Sequence, residues 1–317
     1  NSIDKDSFSP AILEIGSYQS KTENLSNTWH LMQADANPPI AKWVEWQDLG
    51  STFDFKLHAS PISAAQNLAQ TLWSTSSAAV LTSATLRTMG DFQYFLGQTG
   101  LNWFPKTNTL EAESPFNYEE QGTFIVPEMI NCPSANAQGH TDELSDEIPK
   151  QLKDLKHGAL VLFTSKKQMK QVHEDLPDDF LQDVLMQGDM PRNKLISQHE
   201  SRIQDGHRSI LFGMQSFGEG LDLPGKLCET VLITKLPFAP PDSPVEEAKS
   251  EWLEKNQGNP FYEISVPAVA LKLQQWVGRG IRTETDHATI IVLDKRLKTK
   301  PYGKKILAGL PPFKRLM

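Results

Sequence analysis

Short apolar segments alternate with helix-like segments from about residue 105 to the end of the chain. The apolar segments are 123–126, 159–163, 184–186, 209–212, 230–234 and 288–293, and the helix-like segments are near 143–156, 166–176, 192–205, 244–255 and 266–282. Strands that alternate with helices form a parallel sheet covered by helices. The sequence therefore predicts an α/β fold with a doubly wound parallel sheet, in which functional loops follow the carboxyl ends of the strands.

The first third of the chain carries a weaker pattern. Residues 1–35 are polar and contain no motif, so we expect an irregular or partly disordered lead-in there. Segments 39–47 and 52–58 read as strands, and the second alternates apolar and polar residues cleanly. The apolar segment 78–82 predicts a short buried strand.

Two arginines lie near the end of the helix-like segment 266–282. Gln275, Arg279 and Arg282 are spaced i, i+4, i+7, so they would share one helix face. Two guanidinium groups and an amide suit a phosphate, because guanidinium is always charged and presents a rigid fork of donors. From these residues alone, a solvated helix face with two surface arginines is an equally good interpretation.

Segment 215–222 (QSFGEGLD) follows an apolar run that predicts a strand. Its two glycines allow the backbone to approach a ligand closely. Glu219 and Asp222 can hold a ribose hydroxyl, a water or a neighbouring arginine, and Gln215 and Ser216 can donate to a phosphate. An ordinary tight turn is the alternative.

Thr164 and Ser165 end another predicted strand, 159–163, and begin a predicted helix. A hydroxyl at this position caps the helix, and a helix N-terminus also suits an anion. Lys166 adds positive charge at the same place. The turn is therefore interpreted as a helix cap, as a phosphate contact, or as both.

Three short motifs occur in order along the chain: SAT at 83–85, QSFGEGLD at 215–222 and QWVGRGIR at 275–282. In this order they resemble motifs III, V and VI of superfamily 2 helicases, and ordered co-occurrence is more specific than any single motif. Further agreement comes from LPF at 236–238, DSP at 242–244, DKRL at 294–297 and YGK at 302–304. With these, the chain is similar to the bacterial DinG branch of the XPD/DinG DNA helicases over roughly residues 35–317.

The resemblance implies a RecA-like helicase motor. Residues 105–317 would form motor lobe 2, and residues 48–104 would form the last part of lobe 1. Residues 1–47 fall where the family carries the end of its Arch insertion, an assignment that depends on position alone.

The resemblance also implies roles for individual residues. Arg279 and Arg282 would be arginine fingers that act on the γ-phosphate of ATP. The residues expected to bind ATP beside them are Gln275, Gly278, Glu219, Gly220 and Asp222. The residues expected to bind DNA are Thr164, Ser165, Lys166, Gln215, Ser216 and Phe217. The residues expected to couple the two sites are Ser83, Ala84 and Thr85.

Two motifs of such helicases do not occur in this sequence, namely the phosphate-cradling GxxxxGK[ST] and a DEAH or DEAD box for Mg²⁺. We therefore expect the chain alone neither to hydrolyse ATP nor to unwind DNA. The longer parent would be an ATP- and Mg²⁺-dependent 5′–3′ DNA helicase of DNA repair or replication. An iron–sulfur cluster is possible in that parent but not in this chain, whose two cysteines are too few. The histidine spacing also predicts no metal site.

Composition adds few constraints. The net charge of −8 weighs weakly against nucleic-acid binding. No apolar run reaches the roughly 18–20 residues of a spanning helix, and no signal peptide is evident, so we expect a cytoplasmic, nucleoid-associated bacterial protein without membrane contact. Expected partners are ATP and single-stranded, forked or duplex DNA, with the protein a monomer. A non-catalytic nucleic-acid-binding module and an RNA translocase are the alternatives.

Overall fold

The computed structural model describes residues 5–48, 50, 52–215, 217, 221–238 and 243–317, with side chains from residue 12 onward. The strands are β1 (Ile40–Asp48), β2 (Phe53–Pro61), β3 (Gly122–Ile125), β4 (Gly158–Phe163), β5 (Val184–Met186), β6 (Ser209–Met214), β7 (Thr230–Ile233), β8 (Ala288–Val292) and β9 (Lys314–Leu316). The helices are α1 (Lys5–Gln33), α2 (Ala65–Leu68), α3 (Gln93–Thr99), α4 (Tyr118–Gln121), α5 (Ala137–Gln151), α6 (Lys166–Asp175), α7 (Asp178–Leu181), α8 (Arg192–Gln204), α9 (Pro244–Lys255), α10 (Val266–Val277), α11 (Arg296–Thr299) and α12 (Pro301–Ala308).

The predicted parallel sheet is confirmed. Among the described residues, seven strands form one sheet in the order β5-β6-β4-β7-β8-β3-β9, and every neighbouring pair is parallel. All six residues of the central strand β4 are buried. A strand that is apolar throughout must be covered on both faces, so this burial agrees with a doubly wound arrangement.

Two hydrophobic cores lie on the two faces of the sheet. Leu160 and Leu162 of β4 belong to one core, which also contains the apolar side of α10. Ala159, Val161 and Phe163 belong to the other core, with residues of α5 and α6. Successive side chains of a strand point to opposite faces, so each core covers one face. The sheet is thereby held rigidly between helices, and its loops are positioned at its two edges.

The N-terminal residues contradict the expected irregular lead-in, because Lys5–Gln33 form a long helix. Polar side chains led to that expectation, but polar side chains also support a helix when they pair one turn apart. Gln19 Nε2 donates to Glu23 Oε1 at 2.9 Å, and Tyr18 Oη lies 3.4 Å from Glu14 Oε1. The two strands predicted next are confirmed: β1 and β2 form an antiparallel hairpin.

The buried strand predicted at 78–82 is wrong. This segment has no regular secondary structure, and Val80 is 93% exposed. A strand needs neighbours to satisfy its backbone N–H and C=O groups. No strand in the described part of the chain pairs with this segment, so its apolar sequence is not sufficient to make it a strand.

The helix predicted at 266–282 is shorter than expected, since α10 ends at Val277 with Gly278 as its C-cap. Arg279 and Arg282 therefore lie in a turn and do not share a helix face with Gln275. The backbone N–H groups of Arg282 and Thr283 both donate to Asp286 Oδ2, each at 2.8 Å. This carboxylate replaces the carbonyls that a continuing helix would supply.

Contacts group the chain into two compact units. One comprises Asn1–Ser77, Gln98–Leu101 and Ala239–Glu263, and the other comprises Ala78–Gly97, Asn102–Phe238 and Ile264–Met317. In the first unit, Trp252 Nε1 of α9 donates to Asn37 Oδ1 at 3.0 Å. The functional division into 1–47, 48–104 and 105–317 stays a prediction. None of the described helices is long and apolar enough to cross a membrane.

Candidate functional site

The second unit presents predicted site residues at both edges of its sheet. Thr164 and Ser165 follow β4, and Gln215 follows β6, so these residues lie at the carboxyl edge. Arg279 and Arg282 precede β8, so they lie toward the amino edge. The segment after β6 begins at the first edge and has reached the second by Leu221, where it contacts both arginines.

A single backbone carbonyl holds the two arginines. Arg279 Nη1 donates to Leu221 O at 3.0 Å, and Arg282 Nη2 donates to the same oxygen at 2.9 Å. Arg282 Nη1 also forms an ion pair with Asp222 Oδ1. The structure therefore brings the two arginines together with Asp222, which lies 60 residues before Arg282 in the sequence.

The arginine pair remains close to solvent. The Arg282 side chain is 26% exposed and Asp222 is 78% exposed. Ion pairs with an exposed carboxylate contribute about 0–1 kcal/mol, so Asp222 is an easily displaced partner. The guanidinium groups are thus positioned but not sealed inside the protein, as a role in phosphate binding requires.

Close packing fixes the turn that carries the arginines. A Cβ on Gly280 would lie 2.6 Å from the Ala288 Cβ, so only glycine allows the turn to lie against β8. Gln121 Nε2 donates to the carbonyls of Thr283 and Asp286 at 3.2 and 3.0 Å. Burial alone would raise the pKa of Asp286, but hydrogen bonds from the Arg282 and Thr283 backbone lower it below its usual value. Asp286 is therefore a charged, structural carboxylate.

A buried, uncharged cysteine, Cys228, lies near Arg279 and Arg282. It is fully buried just before β7, and burial raises the pKa of its thiol to about 12, although the positive charges of Arg282 and Arg279 act in the opposite direction. The thiol therefore stays neutral and adds no negative charge beside the guanidinium groups. Nothing in the sequence marks this position, since a lone cysteine before a strand is common.

Lys272 of α10 contacts Gln215, the first residue of the segment that follows β6. Lys272 Nζ donates to Gln215 Oε1 at 2.7 Å. Sequence reasoning missed this residue, although Lys272 lies one helical turn before Gln275 and seven residues before Arg279. Gln275 itself is half-buried in the last turn of α10, and Gly278 is exposed. Their roles toward ATP stay predictions.

Three predicted site residues, Ser216, Glu219 and Gly220, lie outside the described residues. Phe217 is described, and the expectation that it contacts DNA directly is not met, because it is 3% exposed and belongs to a hydrophobic core. Its ring fits because Gly213 has no side chain: a Cβ there would lie 2.7 Å from the Phe217 Cβ. Phe217 anchors its segment to the core.

Ser165 caps α6, which confirms its interpretation as a helix cap. Its Oγ accepts from the Gln168 backbone N–H at 3.4 Å. Thr164 is half-buried and Lys166 is exposed beside it. Contact of these residues with a phosphate stays a prediction.

The motif Ser83-Ala84-Thr85 lies beside α10. Gln274 Nε2 is 3.5 Å from Ala84 O, which is the outer limit of a hydrogen bond, and Ser83 Oγ is 3.3 Å from Thr85 Oγ1. The structure thus places this motif next to the helix that precedes the arginine turn.

Comparisons with known proteins agree with this arrangement. The family described as "Helicase C-terminal domain" matches residues 148–313. An "ATP-dependent DNA helicase DinG" of Photobacterium profundum is 40% identical over 313 residues, which are 97% of this chain and 45% of that protein. A protein of the same name from Escherichia coli is 36% identical over 306 residues, which are 95% of this chain and 43% of that protein. The chain therefore spans less than half the length of these relatives.

Solved structures share the fold. The structure "XPD_APO" matches with a TM-score of 0.61 at 17% identity, over 84% of this chain and 55% of that chain. At this identity the likeness concerns the fold alone. The resemblance to XPD/DinG helicases that the ordered motifs predicted is confirmed by the relatives and by this shared fold. The chain belongs to the helicase C-terminal domain family.

Proposed function

We propose that this chain is the C-terminal motor portion of an ATP-dependent DNA helicase, in which Arg279 and Arg282 act on the γ-phosphate of ATP. The observation that carries the proposal is the shared Leu221 carbonyl, which sets both guanidinium groups side by side. The names of the relatives support ATP and DNA as ligands. The P-loop and the acidic box would come from a part of the longer protein that this chain does not cover.

Two arginines beside a triphosphate stabilise the negative charge that builds up on the transferred phosphoryl group. Arginine fingers accelerate phosphoryl transfer by ~10³–10⁵-fold, which corresponds to roughly 4–7 kcal/mol at 1.36 kcal/mol per tenfold. A surface arginine contributes far less, since an exposed ion pair is worth about 0–1 kcal/mol. This difference in magnitude makes the assignment testable.

Asp222 gives Arg282 a resting partner. The exposed Asp222 carboxylate carries one charge, whereas a triphosphate carries several and also offers bidentate acceptors. Arg282 is therefore expected to exchange Asp222 for phosphate when ATP binds. The Leu221 carbonyl would still hold the turn in place during the exchange.

The DNA strand is proposed to lie at the carboxyl edge of the sheet, against Thr164, Ser165, Lys166 and Gln215. Hydroxyl and amide groups make most phosphate contacts of this kind. By family likeness the parent moves 5′ to 3′ on single-stranded DNA, acts on forked or duplex DNA in repair or replication, and is a monomer in the bacterial cytoplasm. Ser83, Ala84 and Thr85 would couple this edge to the arginines through α10.

This chain offers no place for an iron–sulfur cluster. Its two cysteines, Cys132 and Cys228, are both free thiols, and a cluster takes about four thiolates. Within the described ranges, no group of three or more His, Cys, Asp or Glu side chains could hold a metal ion. We propose that any cluster, and the Mg²⁺ of the ATP site, belong with the P-loop and the acidic box of the parent.

Replacing Arg279 tests the proposal. In the full-length protein, Arg279→Ala should lower the DNA-stimulated ATPase rate by ~10³-fold or more while the chain stays folded. Arg202→Ala is the matched control, because Arg202 Nη1 also donates to a backbone carbonyl, that of Gln182, at 3.1 Å.

The control should retain near-normal turnover. Equal rates for the Arg279 variant and the Arg202 variant would remove the arginine-finger assignment. The chain by itself should show no ATPase above a buffer blank, and measurable turnover that Arg279→Ala abolishes would contradict the proposed division of the ATP site.

A further inference from the structure

Lys235 lies at the carboxyl edge of the sheet, directly after β7 and Thr234. Ile233 pairs with Leu162 of β4, and the Thr234 N–H and Oγ1 both donate to Leu162 O, at 3.1 and 3.0 Å. This pairing, continued along the strands, sets Lys235 beside Thr164. Neighbouring strands are about 4.8 Å apart, so the lysine stands next to the turn already proposed to contact DNA.

The charge of Lys235 is not neutralised within the described residues. The side chain is half-buried, and no described residue forms a hydrogen bond or ion pair with it. Asp294 is the carboxylate whose charge acts on Lys235, but its oxygens are bonded to other groups. Its two oxygens accept from the Leu236 N–H at 2.8 Å and from the Arg296 N–H, Nε and Nη2 at 2.6–3.1 Å.

His140, whose imidazole feels the charge of Lys235, does not offset that charge. His140 donates through Nε2 to Leu293 O at 2.8 Å, and its Nδ1 is buried with no partner among the described residues. Burial lowers the pKa of His140, and the positive charge of Lys235 lowers it further, so the imidazole is neutral.

The positive charges of Lys235 and Arg296 face one carboxylate, Asp294, so these three groups have a surplus positive charge that is half-removed from water. Burial, and then the charge of Arg296, lower the pKa of Lys235 below its usual value. An anion at this place would relieve that cost, because a buried charge is stabilised by a partner.

We propose that the Lys235 ammonium binds a backbone phosphate of single-stranded DNA, beside the phosphate contacted by Thr164 and Ser165. This inference rests on the proposed function, because it needs a DNA strand at the carboxyl edge. A phosphodiester carries a single negative charge and matches one ammonium group. Its neighbours along the strand would meet the cap of α6 and the exposed Lys166, which a free phosphate ion would not do.

The salt dependence of DNA binding tests the inference. Each phosphate contact to a single strand contributes about 0.7 to the slope of log K against log salt. Lys235→Gln in this chain should lower the slope for a single-stranded oligonucleotide by about 0.7, which is roughly a fivefold loss of affinity at 0.1 M salt. Lys235→Arg keeps the charge and should keep the slope.

Lys249→Gln is the matched control. Lys249 is also half-buried with a pKa lowered by burial, but its Nζ donates to Gln98 Oε1 at 2.9 Å. The two glutamine variants have the same net charge, so a difference between their slopes reports the site and not the overall charge. In the unmodified chain, bound oligonucleotide should also protect Lys235 from an amine-acylating reagent, a readout that needs no folded variant.

The outcomes separate the two proposals. An unaltered chain that binds no DNA overturns this inference together with the proposed function. DNA binding with equal slopes for the two glutamine variants and no protection of Lys235 overturns this inference alone. Thermal stabilisation by inorganic phosphate that Lys235→Gln abolishes, without an altered DNA slope, would assign the site to a free anion and also reject it.

Discussion

The two glycines of the arginine turn should respond very differently to the same substitution. Gly280 packs against β8, so a Cβ there would lie 2.6 Å from the Ala288 Cβ and 3.1 Å from Ile290 Cδ1. Gly278, two residues earlier, has only backbone oxygens at 3.4 and 3.7 Å from the same hypothetical atom. Neither glycine has a positive φ among the backbone conformations described, so the comparison isolates packing.

The expected cost follows from these distances. Ala288 belongs to a strand inside the sheet and cannot retreat without moving β8, so Gly280→Ala forces either the strand or the turn to shift. Overpacking of this kind costs about 1–3 kcal/mol. Domains of 150–250 residues lose about 2–4 °C of melting temperature per kcal/mol, which gives a fall of roughly 2–12 °C. Gly278→Ala fits the helical backbone at φ −66° and should be neutral or slightly stabilising.

Thermal unfolding of the two alanine variants measures the difference. Because the turn also carries Arg279 and Arg282, the Gly280 variant of the full-length protein should lose ATPase activity at temperatures where it is still folded. A Gly280→Ala protein as stable as Gly278→Ala would refute the packing argument. An ATPase rate of the Gly280 variant equal to that of the unaltered full-length protein would show that small movements of the turn do not matter to turnover.

Three further outcomes are expected. Asp222→Asn should change the free energy of unfolding by less than ~1 kcal/mol, because the ion pair is exposed; a loss above ~2 kcal/mol in urea unfolding would contradict this. Burial lowers the pKa of both His140 and His199 in the folded protein. The free energy of unfolding that they contribute is therefore complete above about pH 6.5, their pKa in the unfolded chain, and is lost as the pH falls through their lower pKa values in the folded protein. An unchanged melting temperature from pH 7 to 5 would contradict this expectation. At neutral pH a thiol reagent should label Cys132 and spare the buried Cys228 until the chain unfolds; two rapid equivalents in the native protein would overturn that.

Six of the seven described strands of the parallel sheet could be predicted because their segments are mostly apolar, a property that each carries in its own sequence. The seventh, β9, is exposed along its whole length and was not predicted. The helix α10, which precedes the two arginines, could be predicted only in part. Ile281 continues the apolar spacing of α10 and is buried, so the periodicity does not reveal that the helix has already ended. The end is set by Asp286, whose carboxylate captures two N–H groups, and by Gly280 against β8. Such contacts exist only in three dimensions.

Other errors have a similar origin. The apolar segment 78–82 reads as a strand, but a strand depends on the neighbours that it pairs with, and none is described for it. Phe217 reads as a loop aromatic available to a base, but Gly213, four residues earlier, leaves room for its ring in the core. Lys272 and Lys235 belong to no motif, and only the fold shows that one holds Gln215 and that the other stands unneutralised beside Thr164.

The two candidate sites are mechanically connected by a helix. Lys272 ties α10 to the segment after β6 through Gln215 at the carboxyl edge, and Leu221 ties the same segment to Arg279. The seven residues from 272 to 279 correspond to about 10 Å at 1.5 Å per residue, so the ties are well separated. Phe217 and Leu221 of the segment belong to the same hydrophobic core as α10, so the described parts of the segment and the helix should move together. We therefore expect a ligand that shifts Gln215 also to shift the Leu221 carbonyl, on whose oxygen both guanidinium groups depend.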